Sequence, residues 1–283
     1  MRFDPNTLYV TDLDGTLLGE TPRIPDEAVE MLNEMLDAGL PFTVATARSW
    51  ASTKKILEGL HLTHPVVLYN GAHIIDPKTE ELVESCSLSR EQMLEVAQLC
   101  CEAGVCCRVE SMINGVCRVS WLRDMEDEGL RIYVEPRKGD ARFRPVDKME
   151  QLADGEPFQC AMFGKEETLR PLFEQLRALG YLYVSMIADS YDIGWFWLSC
   201  ARKDSNKAQG VSKLRRLTGC KRIVCFGDNH NDLPMFSVAD EAYAVGNAVE
   251  EVKRAATGVI GSNVECGVAR FLMTRGAAPA GAE

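Results

Sequence analysis

No run of about eighteen uninterrupted apolar residues occurs in the 283-residue chain, so nothing in it reads as a membrane-spanning helix. The opening MRFDPNTLYV lacks a charged segment followed by an apolar one, so no secretory leader is expected and the cytoplasm is the expected compartment. A long stripe of Lys and Arg is missing as well. Against 42 acidic residues stand 31 basic ones, the formal net charge is −11 and the isoelectric point is near 5.0. That balance argues against a nucleic-acid binder that works by neutralising phosphates. The eleven cysteines are odd in number and scattered over a chain of ordinary size, so they read as reduced thiols rather than a disulfide framework. Neither G-x-x-x-x-G-K-[ST] nor G-x-G-x-x-G is present, which weakens the readings as a P-loop nucleotide hydrolase or a dehydrogenase. Internal repeats and low-complexity tracts are absent too, and 26% charged residues with ordinary Gly and Pro counts exclude a disordered or fibrous chain. A small-molecule enzyme of one large or two modest domains is the class left standing.

What is there is an alternation. Thr7 to Val10 is a short β-favouring apolar run that ends at the polar turn Asp12-Leu13-Asp14-Gly15-Thr16. Ala28, Met31, Leu32, Met35 and Leu36 then recur at helical spacing before Gly39. Pro41 to Ala45 reads as a second strand, Ser49 as the cap of a helix through Leu60, and Val66 to Tyr69 as a third strand ending at Asn70-Gly71. Such βαβαβ order with short connections predicts a parallel, doubly wound sheet. From Ile74 to about Cys200 the pattern changes to hairpin-like strands (115–122, 158–163, 181–187, 193–199) mixed with helices, one opened by a Ser89/Gln92 capping box and another over Glu166 to Leu179. After a polar linker over 201–206 the alternation returns, with a strand over Arg222 to Phe226. The expected division is a core over 1–81 and 201–275, an inserted α+β domain over 82–200, and a frayed tail over 276–283.

In an open parallel sheet, ligands bind beyond the carboxyl ends of the strands, where loops converge and helix N-termini aim N–H groups at anions. The residues that follow the apolar runs are Asp12 and Asp14, then Thr46 and Arg48, then Asn70, then Gly227, Asp228, Asn231 and Asp232. A lone D-x-D is commonly a turn or a cap. Two carboxylate clusters at the ends of two strands of one sheet repel unless a hard cation sits between them, and an all-oxygen donor set suits Mg²⁺. A metal beside a hydroxyl and a helix N-terminus in turn suits a phosphoryl group, whose transfer needs charge neutralisation and in-line positioning.

At these residues the chain resembles the haloacid dehalogenase-like phosphatases, specifically their Cof-type, class IIB branch. The family's D-x-D-G-T-[LV]-L stands as Asp12-Leu13-Asp14-Gly15-Thr16-Leu17-Leu18. Its hydroxyl motif is Thr46 in ATARS, with Ala47 where the family often has Gly. Its lysine is Lys207, and its G-D-x-x-N-D-x-x-M runs from Gly227 to Met235; Val245-Gly246-Asn247-Ala248 and the stretch from Ser262-Asn263 to Ala269 also match. The resemblance implies a Rossmann-like α/β core with an inserted C2B-type cap that closes over the rim and chooses the leaving group.

It also implies roles. Asp12 is the nucleophile that becomes an aspartyl-phosphate, and Asp14 the general acid and base. Mg²⁺ is held by the Asp12 carboxylate, the Asp14 main-chain carbonyl and Asp228, with Asp232 supporting or reaching the ion through water. Thr46, the N–H groups of Leu13 and Ala47, Lys207 and Asn231 surround the phosphoryl oxygens. Arg48 is read as an ion-pair partner that holds the motif loops, Asn70 as either a site residue or a turn residue, and His230 as a solvated loop residue. The expected ligand is a small phosphorylated metabolite, with no nucleic acid and no membrane, and the chain works as a monomer or homodimer. A phosphomutase-type phosphotransferase and a non-catalytic phosphate-binding regulator are the alternatives.

Three features lie outside these motifs. Cys100, Cys101, Cys106 and Cys107 form a CC-x4-CC pattern, read as buried small hydrophobes in preference to a zinc site. Arg131, Arg137, Lys138, Arg142 and Arg144 against Glu135 and Asp140 form a locally basic segment, either a second anion site or, better, an exposed loop of mixed charge. Trp195 and Trp197 share one face of a strand, as core or as a surface for a sugar ring, with core favoured for at least one.

Overall fold

The computed structural model describes residues 1–189 and 193–277, arranged as two compact units. One is built from Met1–Ser85 and the chain from Asn206 onward, the other from Cys86–Ser205. In chain order the first stretch carries β1 (Thr7–Thr11), α1 (Asp26–Asp37), β2 (Phe42–Val44), α2 (Trp50–Leu57), β3 (Val66–Leu68), β4 (His73–Ile75) and β5 (Leu82–Ser85). The second unit follows with α3 (Arg90–Glu102), β6 (Arg108–Ile113), β7 (Val116–Leu122), α4 (Glu128–Val134), β8 (Phe143–Val146), β9 (Glu156–Lys165), α5 (Glu166–Ala178), β10 (Leu182–Ala188) and β11 (Trp195–Arg202). The chain then returns to the first unit with α6 (Lys207–Thr218), β12 (Arg222–Gly227), α7 (Leu233–Phe236), β13 (Glu241–Ala244), α8 (Glu250–Ala255), β14 (Gly258–Val259) and α9 (Gly267–Ala277).

In the first unit a parallel sheet runs β14-β13-β12-β1-β2. Every residue of β1 is buried, as a strand covered on both faces requires. The winding proceeds from β1 to β2 in one direction and from β12 through β13 to β14 in the other, so it reverses between β1 and β12. Their register, Thr7↔Arg222 through Thr11↔Phe226, brings the chain ends at Asp12 and Gly227 side by side. That reversal opens the crevice in which such sheets hold ligands.

Several expected boundaries move. The strand over 66–69 touches the parallel sheet only through the bridge Ala45↔Val67 and otherwise pairs antiparallel with β4. It stops at Leu68 because Tyr69 and Asn70 take left-handed backbone, φ 49° and 53°. The helix capped by Ser49, whose side chain accepts from Ser52 N, ends at Leu57 rather than Leu60: Glu58 leaves helical geometry and Gly59 takes φ +92°. The linker expected over 201–206 is partly strand, since β11 runs to Arg202, and β5 pairs with β4; the units divide at 85/86 and 205/206 rather than at 81/82 and 200/201. Of the expected tail, Gly276 and Ala277 end α9, and 278–283 lie outside the described residues.

The second unit is a sheet of order β10-β11-β9-β6-β7-β8. The Ser89/Gln92 capping box opens α3 as expected. On one face of the sheet α3 and α5 enclose Val109, Cys160, Met162, Leu198 and Cys200. Cys100 and Cys107 belong to this core, while Cys106 packs with Trp121 and Leu130 of α4 in a separate cluster. Three of the four cysteines are thus buried in two apolar clusters, whereas Cys101 is half-buried and belongs to neither; burial pushes the Cys106 thiol well up. Among the described residues, no group of cysteines stands at metal-ligating spacing.

Candidate active site

Asp12 follows β1 directly, is 4% exposed, and has its N–H fixed by Phe226 O at 3.0 Å. Its Oδ1 accepts from Lys207 Nζ at 2.6 Å, and the same ammonium donates to Asp232 Oδ1 at 2.6 Å. The other oxygen of Asp232 accepts from the N–H groups of Asp228 (2.9 Å) and Asn229 (3.1 Å), so this carboxylate ties the lysine to the loop after β12. Lys207 opens α6, whose N-cap Asn206 accepts from Gln209 N, and this first-turn placement delivers an ammonium to the sheet's carboxyl end. Gly71, at φ +103°, permits that approach: a Cβ there would lie 2.2 Å from Asn206 O.

Burial pushes Asp12 up to about 7 even though Lys207 opposes the shift, and pushes Asp228 up to about 6 while its bond from Thr16 opposes it. The Lys207 ammonium, although buried, is held above its usual range by Asp12 and Asp232. Oxygens of Asp12, Asp228 and Asp232 lie within 4.8 Å of one another. Once ionised, three carboxylates against one ammonium leave two negative charges in an all-oxygen cluster of two buried and one half-buried side chain, a donor set that fits a hard divalent cation such as Mg²⁺. Asp14, expected to offer its carbonyl, is not among the side chains of the cluster. Its carboxylate is exposed and gripped by Arg48, whose Nε donates to Oδ2 at 2.7 Å while Nη2 donates to Oδ1. Arg48 also reaches Ser52 Oγ at 3.0 Å, so it pins the loop after β1 to the start of α2.

Thr46 is fully buried, accepts from Arg48 N at 3.2 Å through its hydroxyl, and accepts from Asn70 N through its carbonyl. Asn70 Oδ1 in turn faces Asn231 Nδ2 at 3.5 Å, which joins the loops after β2, β3 and β12. Ala47 has no positive φ, so the methyl group that replaces the family's frequent Gly carries no backbone strain. Leu13 is fully buried, and its backbone helps to lower the Asp12 carboxyl against the effect of burial. His230 is exposed and bonded to Glu251, as a solvated loop residue.

Sequence reasoning noted Asn247 and Asn263 only as matching residues. The structure shows what they hold: Asn247 Nδ2 donates to Gly15 O at 2.7 Å, Asn263 Nδ2 to Leu18 O at 2.9 Å, and Asn263 N to Asn247 Oδ1 at 3.0 Å. Together they clamp the turn that bears Asp12 and Asp14. The only signal for this was an amide residue after each of two late apolar runs, too weak to indicate a partner more than two hundred residues away.

Residues 9–272 match the sequence profile described as haloacid dehalogenase-like hydrolase. The chain is 25% identical over 268 residues to the 5-amino-6-(5-phospho-D-ribitylamino)uracil phosphatase YitU of Bacillus subtilis, covering 94% of this chain and 96% of that one. A crystal structure of a Thermotoga maritima protein superposes with a TM-score of 0.77 at 24% identity, covering 94% of this chain and 96% of the other. A sugar phosphatase described as haloacid dehalogenase subclass IIB gives a TM-score of 0.71 at 24% identity, covering 95% and 99%.

Proposed function

Because the chain belongs to the haloacid dehalogenase-like hydrolases, an enzyme family in which its relatives are phosphatases, we propose that it is a Mg²⁺-dependent phosphomonoesterase of small phosphorylated metabolites that works through an aspartyl-phosphate. The observation that carries this reading is the buried Asp12, 2.6 Å from Lys207 and grouped with Asp228 and Asp232 at the point where the sheet reverses.

The Asp12 carboxylate attacks phosphorus in line; its O–P bond forms as the bond from phosphorus to the leaving oxygen breaks, and Asp14 gives that oxygen its proton. Asp14, now a base, takes a proton from water. The resulting nucleophile attacks phosphorus, releases inorganic phosphate and restores Asp12. Lys207 fixes Asp12 in position. Thr46, Asn231 and the N–H groups of Leu13 and Ala47 serve the phosphoryl oxygens, and Asp232 supports the loop that bears Asp228. Mg²⁺, held by Asp12, Asp228 and the Asp14 carbonyl, would neutralise charge on the transferring group. Arg48 orients Asp14, and Asn70 braces Asn231.

Residues 86–205 are assigned the role of a cap that selects among leaving groups. The relatives' substrates support a phosphorylated sugar or a ribityl-type compound as the class. The test is release of phosphate from p-nitrophenyl phosphate with Mg²⁺ and its loss with EDTA, followed by a panel of phosphorylated metabolites. Lack of turnover of every substrate at saturating Mg²⁺ would sink the reading. Phosphate release with no sugar bisphosphate activator separates hydrolysis from mutase chemistry.

A further inference from the structure

β10 is an edge strand: among the described residues β11 is its one neighbour in the sheet. An edge offers a row of backbone N–H and C=O groups to any strand that can pair with it, and stable folds blunt it with shortness, charge, proline or a bulge. The other sheet edges among the described residues are blunted in those ways. β14, β2, β3, β5 and β8 run for only two, three, three, four and four residues. β5 carries Glu84, and β8 carries Pro145 and Arg144, whose side chain bonds Gln151 O at 3.1 Å and Asp154 Oδ2 at 2.6 Å. β10 has none of these features. It is seven residues long, LYVSMIA, without charge or proline, and its register with β11 runs unbroken from Leu182↔Arg202 to Ala188↔Phe196.

The ladder fixes which groups of β10 face away from β11. Asp189 N donates to Trp195 O and Lys203 N to Tyr181 O, each at 2.8 Å, so the odd-numbered residues exchange their bonds with β11. Leu182, Val184, Met186 and Ala188 therefore turn their N–H and C=O groups outward. Side chains alternate with the same period: Leu182, Val184 and Met186 join the core that α3 and α5 cover, while Tyr183, Ser185 and Ile187 share the opposite face. On that face Tyr183 is 47% exposed and Ile187 64%.

We propose that β10 pairs antiparallel with β10 of a second copy of this chain, about a twofold axis through Ser185, so that the two six-stranded sheets join into one. In this register Val184 exchanges two hydrogen bonds with Met186 of the partner subunit, and Leu182 two with Ala188 of the partner subunit. Tyr183 packs on Ile187 of the partner subunit across a non-hydrogen-bonded pair, the closer kind, and the symmetry repeats the contact. The two exposed apolar side chains of the strand thus cover each other, which no register shifted by two residues achieves. A second copy is the occupant because the strand is self-complementary and uncharged. In a chain of net charge −11, two copies repel wherever acidic faces meet, and Leu182–Ala188 brings no charges together. Area sets the strength: a single strand pair falls below the roughly 1,200 Å² at which stable interfaces begin, so this dimer dissociates on dilution. Nothing in the pairing depends on the phosphatase reading.

Sedimentation equilibrium of the full chain from about 1 to about 300 µM is expected to move from 31.4 kDa toward twice that mass. Ile187→Lys sets a charge against Tyr183 of the partner subunit, and Val184→Pro removes an outward N–H that β11 does not use; each is expected to weaken the dimer about tenfold or more. Circular dichroism and a melting temperature close to wild type show that the variants fold, and if one does not, the other decides. Ser185→Cys sets two thiols opposite each other at the axis, at a Cα separation that a disulfide spans. Mild oxidation is expected to link its copies, while wild type and a Val116→Cys control, at an exposed position that begins β7, stay unlinked. A single-chain mass up to the highest concentration overturns the proposal and leaves the edge for a strand of another protein. A dimer that withstands both Ile187→Lys and Val184→Pro, or Ser185→Cys that links no faster than the control, puts the contact elsewhere and overturns it too.

Discussion

Lys207 Nζ lies 2.6 Å from Asp12 Oδ1 although 195 positions separate the two residues. Both are buried, and the same ammonium bonds Asp232. Among the described residues, the returning half of the first unit thus supplies the only cation bonded to the carboxylate that the leading half places at the end of β1. The site is complete only where both halves of the first unit are in place.

Removing that cation has a structural cost before it has a catalytic one. Lys207→Met leaves two buried carboxylates facing one another, and breaking a buried pair from one side costs about 3–5 kcal/mol. Thermal or urea denaturation of the metal-free protein is expected to show a loss of that order, with part of it recovered by Mg²⁺. A loss under about 1 kcal/mol would mean the pair contributes little.

Asp12→Asn keeps the shape and a hydrogen-bonding side chain but removes the nucleophile. The expected result is a folded protein whose kcat falls by about three or more orders of magnitude, with no phosphorylated enzyme after acid quenching. Retention of activity would assign the nucleophile elsewhere.

The raised ionisations link metal binding to pH. In the metal-free fold, Asp12 titrates at about 7 and Asp228 at about 6, both lifted by burial. An acid whose folded-state pKa is raised favours the fold most when protonated. Its contribution is therefore complete below the ordinary carboxylate range and is lost as pH rises through 6 and 7. A divalent cation needs the ionised forms, so its binding releases protons and strengthens over the same interval. The rise in melting temperature produced by Mg²⁺ should be clearly larger at about pH 7.5 than at about pH 5.5. Equal shifts at both values would contradict the linkage.

Gly15 sits at φ +75°, and a Cβ on it would lie 2.4 Å from Asp228 Oδ2. Gly15→Ala is expected to strain the turn and push Asp228 out of the cluster, which weakens Mg²⁺ binding and lowers kcat/KM by about 10- to 100-fold. Calorimetric Mg²⁺ titration of the variant checks this. Wild-type affinity would show that the turn absorbs the methyl group without moving the carboxylate.

Much of the first unit was legible because the signals are local. An apolar run that stops at Asp, Thr or Asn announces both a buried strand and the rim at which it ends, and βαβ order places those rims together. Asp12, Thr46, Asn70 and Asp228 were singled out on that basis, with Asn70 left open between a site residue and a turn residue. The second unit was harder. The strand over Arg108–Ile113 was not anticipated, since RVESMI has neither strict alternation nor a continuous apolar run, and its Glu110/Ser111 irregularity breaks the period of two.

By itself, then, the sequence determined the kinds of element, their order and the chemistry waiting at the strand ends, because spacing along a chain dictates which side chains share a face. Which faces meet was decided only in three dimensions. Asp232 holding Lys207, Arg48 gripping Asp14, Asn247 and Asn263 clamping the first turn, and Arg108 lying between Tyr133 and Trp197 are contacts between residues far apart in the chain or set by packing across a sheet. Such contacts follow from the close packing of whole elements, and no local pattern of residues encodes them.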